Sequence, residues 1–193
     1  LANVKIVLPS EVNTFDVVSC DNLLITEEAL KSLEENVSDE NDYKVIVLHT
    51  GMTDEGKNAI KEMETYNVKV DFFDITEITK NMGEELLLRC RDYYSPTIYY
   101  RMFIPSLFPQ YDKALYLDSD IVVRDDIAKL YNTELGSNYV GAITDAVANS
   151  CPELVEYVVK NLGLNDGKEY FNSGVLVMNL KAMRDAKIKE KFV

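Results

Sequence analysis

The chain has 193 residues, 47% of them hydrophobic and 27% charged, with a formal net charge of −13. That length and composition suit one soluble globular domain with a sizeable core. The charge argues against nucleic acid and against anionic membrane surfaces as partners, because phosphates demand a basic footprint, and no apolar run is long enough to span a membrane.

The start, LANVKIVLPSEVN, lacks an initiator Met and has no cationic segment followed by an apolar one, so it does not read as a secretory leader. Cysteines at 20, 90 and 151 are odd in number and lack CxxC spacing. They read as buried free thiols of a reducing compartment, not as a disulfide framework or zinc site.

Val4 to Leu8 (VKIVL) and Phe15 to Ser19 (FDVVS) read as short strands. Thr26 reads as the N-cap of an amphipathic helix over 26–37, with Glu27 and Glu28 in its first turn and Leu30, Leu33 and Val37 on its apolar face. Tyr43 to Leu48 is a continuous apolar strand. Thr53 caps a second helix with Ile60, Met63 and Tyr66 as its apolar positions, and Val68 to Ile75 is a third clear strand. An aromatic helix over 97–108 is interrupted or kinked near Pro105. The strand Ala114 to Leu117 comes next, then a short helix over 125–131 and a strand over 139–144. A helix over 152–162 has Pro in its first turn, a buried strand covers 175–180, and a lysine-rich helix covers 181–192. The rhythm of strand and helix predicts an α/β fold, a mostly parallel sheet with helices on both faces. Residues 1–193 read as one domain whose last helix has no terminating Gly or Pro, so the protein is expected to continue beyond Val193.

The stretch KALYLDSDIVVR places Asp118 and Asp120 where an apolar strand ends. Ligands of open α/β sheets bind beyond the carboxyl ends of strands. Residues i and i+2 of an extended segment point to one side, so two hard oxygen ligands would converge there, as Mg²⁺ or Mn²⁺ requires. Such an ion could bridge to a nucleotide's pyrophosphate and offset the chain's own negative field. The same three residues would also serve as a plain turn between strands.

The longer stretch YDKALYLDSDIVVRDDIAKLY resembles the family 8 glycosyltransferases, the group that includes glycogenin and bacterial lipopolysaccharide galactosyl- and glucosyltransferases. FNSGVLVMNLKAMR at 171–184 and TIYYRMFIPSLFP at 97–109 are similar to two further segments of that family, in the right order. HTGMTDEGKNAI at 49–60 resembles the loop after its second strand. The likeness covers most of residues 15–184.

The resemblance implies a GT-A (Rossmann-like) fold and a retaining transferase using a UDP-sugar with Mn²⁺ (or Mg²⁺). It implies Asp118 and Asp120 as metal ligands and the main chain near Ser119 against the ribose. Asn172 and Gly174 would line the donor sugar, Asp145 would stand near it, and Arg101 would touch the donor's phosphates or sugar. Asp145 and Asn172 are the candidate catalytic residues. The base-binding loop of the family has its best match in SCDNLL at 19–24, with Asp21 and Asn22 but without the family's Tyr, and PSEVN at 9–13 is the competing segment. The family's later acidic-Gln segment and its metal-binding C-terminal His have no match before Val193. The one histidine, His49, reads as structural. The tyrosines at 93, 94, 99 and 100 read as helix packing and donor-site walls, and the lysines at 181, 187, 189 and 191 as a solvated face.

The expected function is transfer of a hexose from a UDP-sugar to a glycan, lipid-linked or protein acceptor. The expected location is cytoplasmic, with peripheral membrane contact only through a region past residue 193. Nothing in the sequence sets an oligomeric state. Two alternatives stand beside it: a non-catalytic nucleotide-sugar-binding domain or fragment, and a nucleotidyltransferase, which would want a Gly-rich phosphate loop near the N-terminus.

Overall fold

The computed structural model describes residues 3–10, 21–80 and 99–191. Their strands form one sheet: β1 (Asn3–Ser10), β2 (Asp42–His49), β3 (Val68–Asp74), β4 (Lys113–Leu117), β5 (Val140–Gly141) and β6 (Val175–Asn179), in the order β3-β2-β1-β4-β6-β5. β1 to β4 are mutually parallel, and β6 is antiparallel to both of its neighbours.

The central strands are apolar throughout because both faces of the sheet are covered. Alternation assigns each residue to a face. Val45 and Val47 of β2, Leu115 and Leu117 of β4 and Val177 of β6 share one core with Leu30 and Leu33 of helix α1 (Asp21–Glu34) and Ile60 of α2 (Asp54–Lys61). The intervening residues, Ile46, Leu48, Ala114, Tyr116, Leu176 and Met178, share the other with Tyr100 and Ile104 of a helix over Tyr100–Leu107 and Leu180 and Met183 of one over Leu180–Asp185. Each such aliphatic side chain contributes about 1.5–3 kcal/mol by leaving water. The five residues of β4 thus hold two helical layers apart and end at the sheet's carboxyl edge. α3 spans Thr76–Lys80, and its Ile78 packs against the second core. We number the remaining helices α4 (Tyr100–Leu107), α5 (Ala128–Tyr131), α6 (Ala146–Ser150), α7 (Pro152–Leu162) and α8 (Leu180–Asp185).

Several expectations are corrected. Thr26 lies inside α1, fully buried, and is not its cap. Thr53 does cap α2, its Oγ1 accepting from Gly56 N at 3.2 Å, but α2 stops at Lys61. Tyr66 therefore stands outside the helix, 72% exposed, with its hydroxyl donating to Asp39. Pro105 does not interrupt α4, which runs through it to Leu107. The strand over 139–144 shrinks to Val140–Gly141 plus a single bridge from Thr144 to Phe171. The last helix ends at Asp185, and Ile188–Lys191 is a 3₁₀ turn, entered through Lys187 at φ 51°. Cys151 is free but only half-buried, its thiol donating to Glu153. The strand over 15–19, Thr97, Cys90 and Tyr93 and Tyr94 lie outside the described residues.

The second apolar run, Ile121 to Val123, forms no strand. It crosses to the α1 face, where Val123 N donates to Ser32 Oγ at 2.9 Å and Asn36 Nδ2 donates to the Val123 carbonyl at 3.1 Å. Ser32 of α1 and Asn36, two residues past its end, stand in for a neighbouring strand.

Candidate functional site

Because β6 runs against β4, the end of β4 meets the start of β6, with Leu117 opposite Val175. The turn leaving β4 (118–120) and the loop entering β6 (172–174) therefore lie at one edge. Asp118 N donates to the Gly174 carbonyl at 2.7 Å, extending the ladder by one step.

Ala114 and Tyr116 face α4, and Asp118, two residues on, keeps that side. The fully buried Tyr116 donates its hydroxyl to Asp118 Oδ1 at 2.6 Å. Burial above all, and then the charges of Asp118 and Asp120, hold this phenol well above the ordinary range, while Arg101 works against the shift. It is a neutral donor at any working pH. Arg101, in the first turn of α4, lies 4.4 Å from the centre of the Tyr116 ring. Its Nη2 pairs with the same Asp118 Oδ1 at 3.2 Å, and its Nη1 donates to the Ser173 carbonyl. Only 11% of the Arg101 side chain is exposed, against 33% for Asp118. A stacked, partly buried pair of this kind is worth more than a solvated one.

Asp120 is exposed and, among the described residues, its carboxylate has neither hydrogen bond nor ion pair. Ser119 between them is half-buried. On the facing loop, Asn172 Oδ1 accepts from Gly174 N at 2.9 Å. A Cβ on Gly174 would stand 2.7 Å from Asp118 Oδ2, so only glycine lets the two loops approach this closely.

Asp145 arrives by a different route. The bridge from Thr144 to Phe171 is flanked by Asp145 N donating to the Tyr170 carbonyl and Asn172 N donating to the Ile143 carbonyl, each at 2.9 Å. These bonds set the segment bearing Asp145 beside the one bearing Asn172. The Asp145 carboxylate caps α6, accepting from Val147 N at 2.9 Å and Ala148 N at 2.8 Å. Asp21 and Asn22 open α1, at the start of a helix where the sequence had placed a loop.

Asp118 Oδ2 and the Asp120 carboxylate are hard oxygen donors without a competing cation of their own, which suits Mg²⁺ or Mn²⁺. Such ions often take one or two carboxylates and complete their shell with phosphates and water. Among the described residues no third acidic, His or Cys side chain joins them. His49 has another role: it is buried, its Nδ1 accepts from Met52 N at 3.2 Å, and burial lowers its pKa below 6.5. Tyr116 and Ser173 were not singled out in the sequence. Tyr116 could have been, since LYLD places it two residues before Asp118 on the same side.

A family model, glycosyl transferase family 8, matches residues 18–193. The chain belongs to glycosyl transferase family 8. It is similar to general stress protein A of Bacillus subtilis (strain 168), 27% identical over 165 residues, which is 84% of this chain and 54% of that protein. It is also similar to probable galacturonosyltransferase-like 9 of Arabidopsis thaliana, 37% identical over 108 residues, 50% of this chain and 27% of that protein. Among solved structures it is similar to apo WbbM, a bifunctional glycosyltransferase, with TM-score 0.78 and 28% identity over 96% of this chain and 33% of that one. The galactosyltransferase LgtC, solved with donor and acceptor sugar analogues, gives TM-score 0.73 and 27% identity over 94% of this chain and 60% of that one. The fold is thus the GT-A type of these family 8 glycosyltransferases. The chain spans about half the length, or less, of these curated relatives.

Proposed function

We propose that residues 1–193 form the nucleotide-sugar-binding domain of a retaining glycosyltransferase that moves a hexose from a UDP-sugar to a glycan, lipopolysaccharide or glycoprotein acceptor. The observation that carries this reading is the clamp at the sheet's carboxyl edge. The Asp118-Ser119-Asp120 turn is tied to the Asn172–Gly174 loop by a main-chain bond and by Arg101. LgtC, a galactosyltransferase with donor and acceptor analogues bound, supports the substrate class.

In this reading Asp118 and Asp120 hold Mn²⁺ or Mg²⁺, and the main chain near Ser119 lies along the ribose. Bound there, the ion would act as a Lewis acid on the diphosphate and stabilise the departing nucleotide. Arg101 keeps the two loops together and adds positive charge beside the phosphates in a chain of net charge −13. Asn172 and Gly174 form the wall against which the donor sugar rests. Asp145, anchored at the head of α6, presents its carboxylate toward the sugar and favours positive charge at the anomeric carbon. Asp21 and Asn22 at the head of α1 serve the base. A cytoplasmic location belongs to the same reading and rests on the family resemblance; separately, among the described residues no helix is long and apolar enough to cross a membrane.

The test is thermal unfolding of the chain with UDP, with Mn²⁺, and with both. Ligand at about 100 times its dissociation constant stabilises by roughly 2.7 kcal/mol. A shift that needs both ligands is the expected result, and its absence would remove the donor-site reading for this domain.

A further inference from the structure

We infer that Tyr116 is a positioning residue that fixes which oxygen of Asp118 meets the metal ion, with Gly174 supplying the space in front of that oxygen; this rests on the metal reading proposed above. A carboxylate turns readily about its terminal torsion, which is broad and roughly two-fold. Here that freedom is removed. Oδ1 accepts the Tyr116 hydroxyl at 2.6 Å and Arg101 Nη2 at 3.2 Å. Oδ2 is the oxygen that points at Gly174, where a Cβ would lie 2.7 Å from it and 3.4 Å from the carboxyl carbon.

The glycine is there for room and not for backbone conformation. Among the described residues the glycines at positive φ are Gly51, Gly136 and Gly163, and Gly174 is not one of them. Alanine can adopt its backbone, and what crowds the methyl is chiefly Asp118 Oδ2 at 2.7 Å, with Asn172 Oδ1 next at 3.2 Å. Tyr116 and Arg101 thus occupy the inner oxygen while Gly174 leaves the outer one accessible, and Asp118 offers that one oxygen to a cation. Without the phenol, nothing stops the carboxylate from turning both oxygens toward the Arg101 guanidinium. That bidentate geometry is one the guanidinium favours, and it competes directly with a metal ion. Tyr116 therefore keeps the arginine to one oxygen of Asp118 and holds the second in reserve.

The test is Mn²⁺ titration of the full chain, followed by the electron paramagnetic resonance of free and bound ion. Groups that orient metal ligands typically carry a 10–100-fold share of metal affinity. Tyr116→Phe, which keeps the ring under Arg101, should weaken Mn²⁺ binding by about that factor and alter the line shape of the bound ion. A hydroxyl that matters only for packing would lower the unfolding midpoint and leave the affinity of the folded chain as in the wild type, and that outcome overturns the inference. Gly174→Ala provides a second route should the first variant fail to fold. It should weaken Mn²⁺ binding in the same direction, and unchanged affinity in a folded Gly174→Ala chain equally overturns the inference. Asp120→Asn separates this from the larger reading. If the wild type binds no Mn²⁺, or Asp120→Asn binds like the wild type, the metal reading falls and the positioning role with it. If Asp120→Asn loses binding while Tyr116→Phe keeps it, only the positioning role falls.

Discussion

The two edges of the sheet each hold a buried tyrosine donating to an aspartate at 2.6 Å, and they use it differently. At the amino edge Tyr43 donates to Asp126, accepts from Ser38 N, and Asp126 Oδ1 also takes Ala128 N. The pair is closed off by backbone groups, which cannot move without unfolding a turn, and no cation pairs with it among the described residues. At the carboxyl edge Tyr116 donates to Asp118, whose other partner is a side chain, Arg101, and whose second oxygen faces a glycine. Both aspartates are bonded through Oδ1; the difference is that Asp126 is tied to the backbone amide of a turn, whereas Asp118 is tied to a guanidinium and has a glycine in front of its second oxygen.

The largest test of that contrast acts on the carboxyl edge alone. Asp120→Asn should abolish the Mn²⁺-dependent stabilisation by UDP, roughly 2.7 kcal/mol at a hundredfold excess over the dissociation constant, and leave the unfolding midpoint of the free chain where it was. A lowered midpoint in the free chain would mean that Asp120 belongs with the structural aspartates. The next acts on the amino edge. Asn67 is buried and donates to the Ser38 and Asn41 carbonyls at 3.0 and 3.1 Å. Asn67→Ala should cost about 2 kcal/mol by removing both of these buried hydrogen bonds, measured by urea denaturation, with no change in Mn²⁺ affinity. Tyr43→Phe should cost about 1–2 kcal/mol in the same assay, again without effect on Mn²⁺. Should it weaken Mn²⁺ binding as Tyr116→Phe does, the two edges are not independent.

The smallest effect concerns pH. Burial, then Lys57, lowers the His49 pKa below 6.5. A histidine kept neutral in the folded state is protonated more readily when unfolded. Its contribution is therefore complete above pH 6.5 and is lost as pH falls from there toward the folded pKa. Chemical denaturation between pH 7.5 and 5 should show that decline, and His49→Asn, which can still accept from Met52 N, should flatten it.

The fold was legible where apolar runs were long. VKIVL, YKVIVL, ALYL and VLVMNL all fall on strands, because a strand covered on both faces must be apolar throughout. YVGAIT was misjudged in length because a two-residue edge strand and a lone bridge leave no periodicity to read. IVV after the aspartates has strand composition, yet its partners are Ser32 of α1 and Asn36 just past that helix, which no local pattern announces. Thr26 has the chemistry of a cap, but the helix begins five residues earlier and buries it. Asp118 and Asp120 were singled out from motif and strand-end position and Asn172 and Gly174 from the resemblance, and the structure sets all four at one edge of the sheet. The role of Arg101 was only half read, since its contacts with Tyr116 and Ser173 depend on α4 crossing the end of β4.

The reversal of β6 has a consequence for how the molecule is made. The acidic turn and the glycine that walls it are separated by some fifty residues of chain, and they meet only through a five-residue antiparallel register. A nascent chain that has exposed residues 113–120 carries both aspartates but neither the Gly174 carbonyl for Asp118 N nor the Ser173 carbonyl for Arg101. The clamp can close only once β6 has docked beside β4. Until then the aspartates at the end of β4 lack the loop that walls them, however early in synthesis they appear.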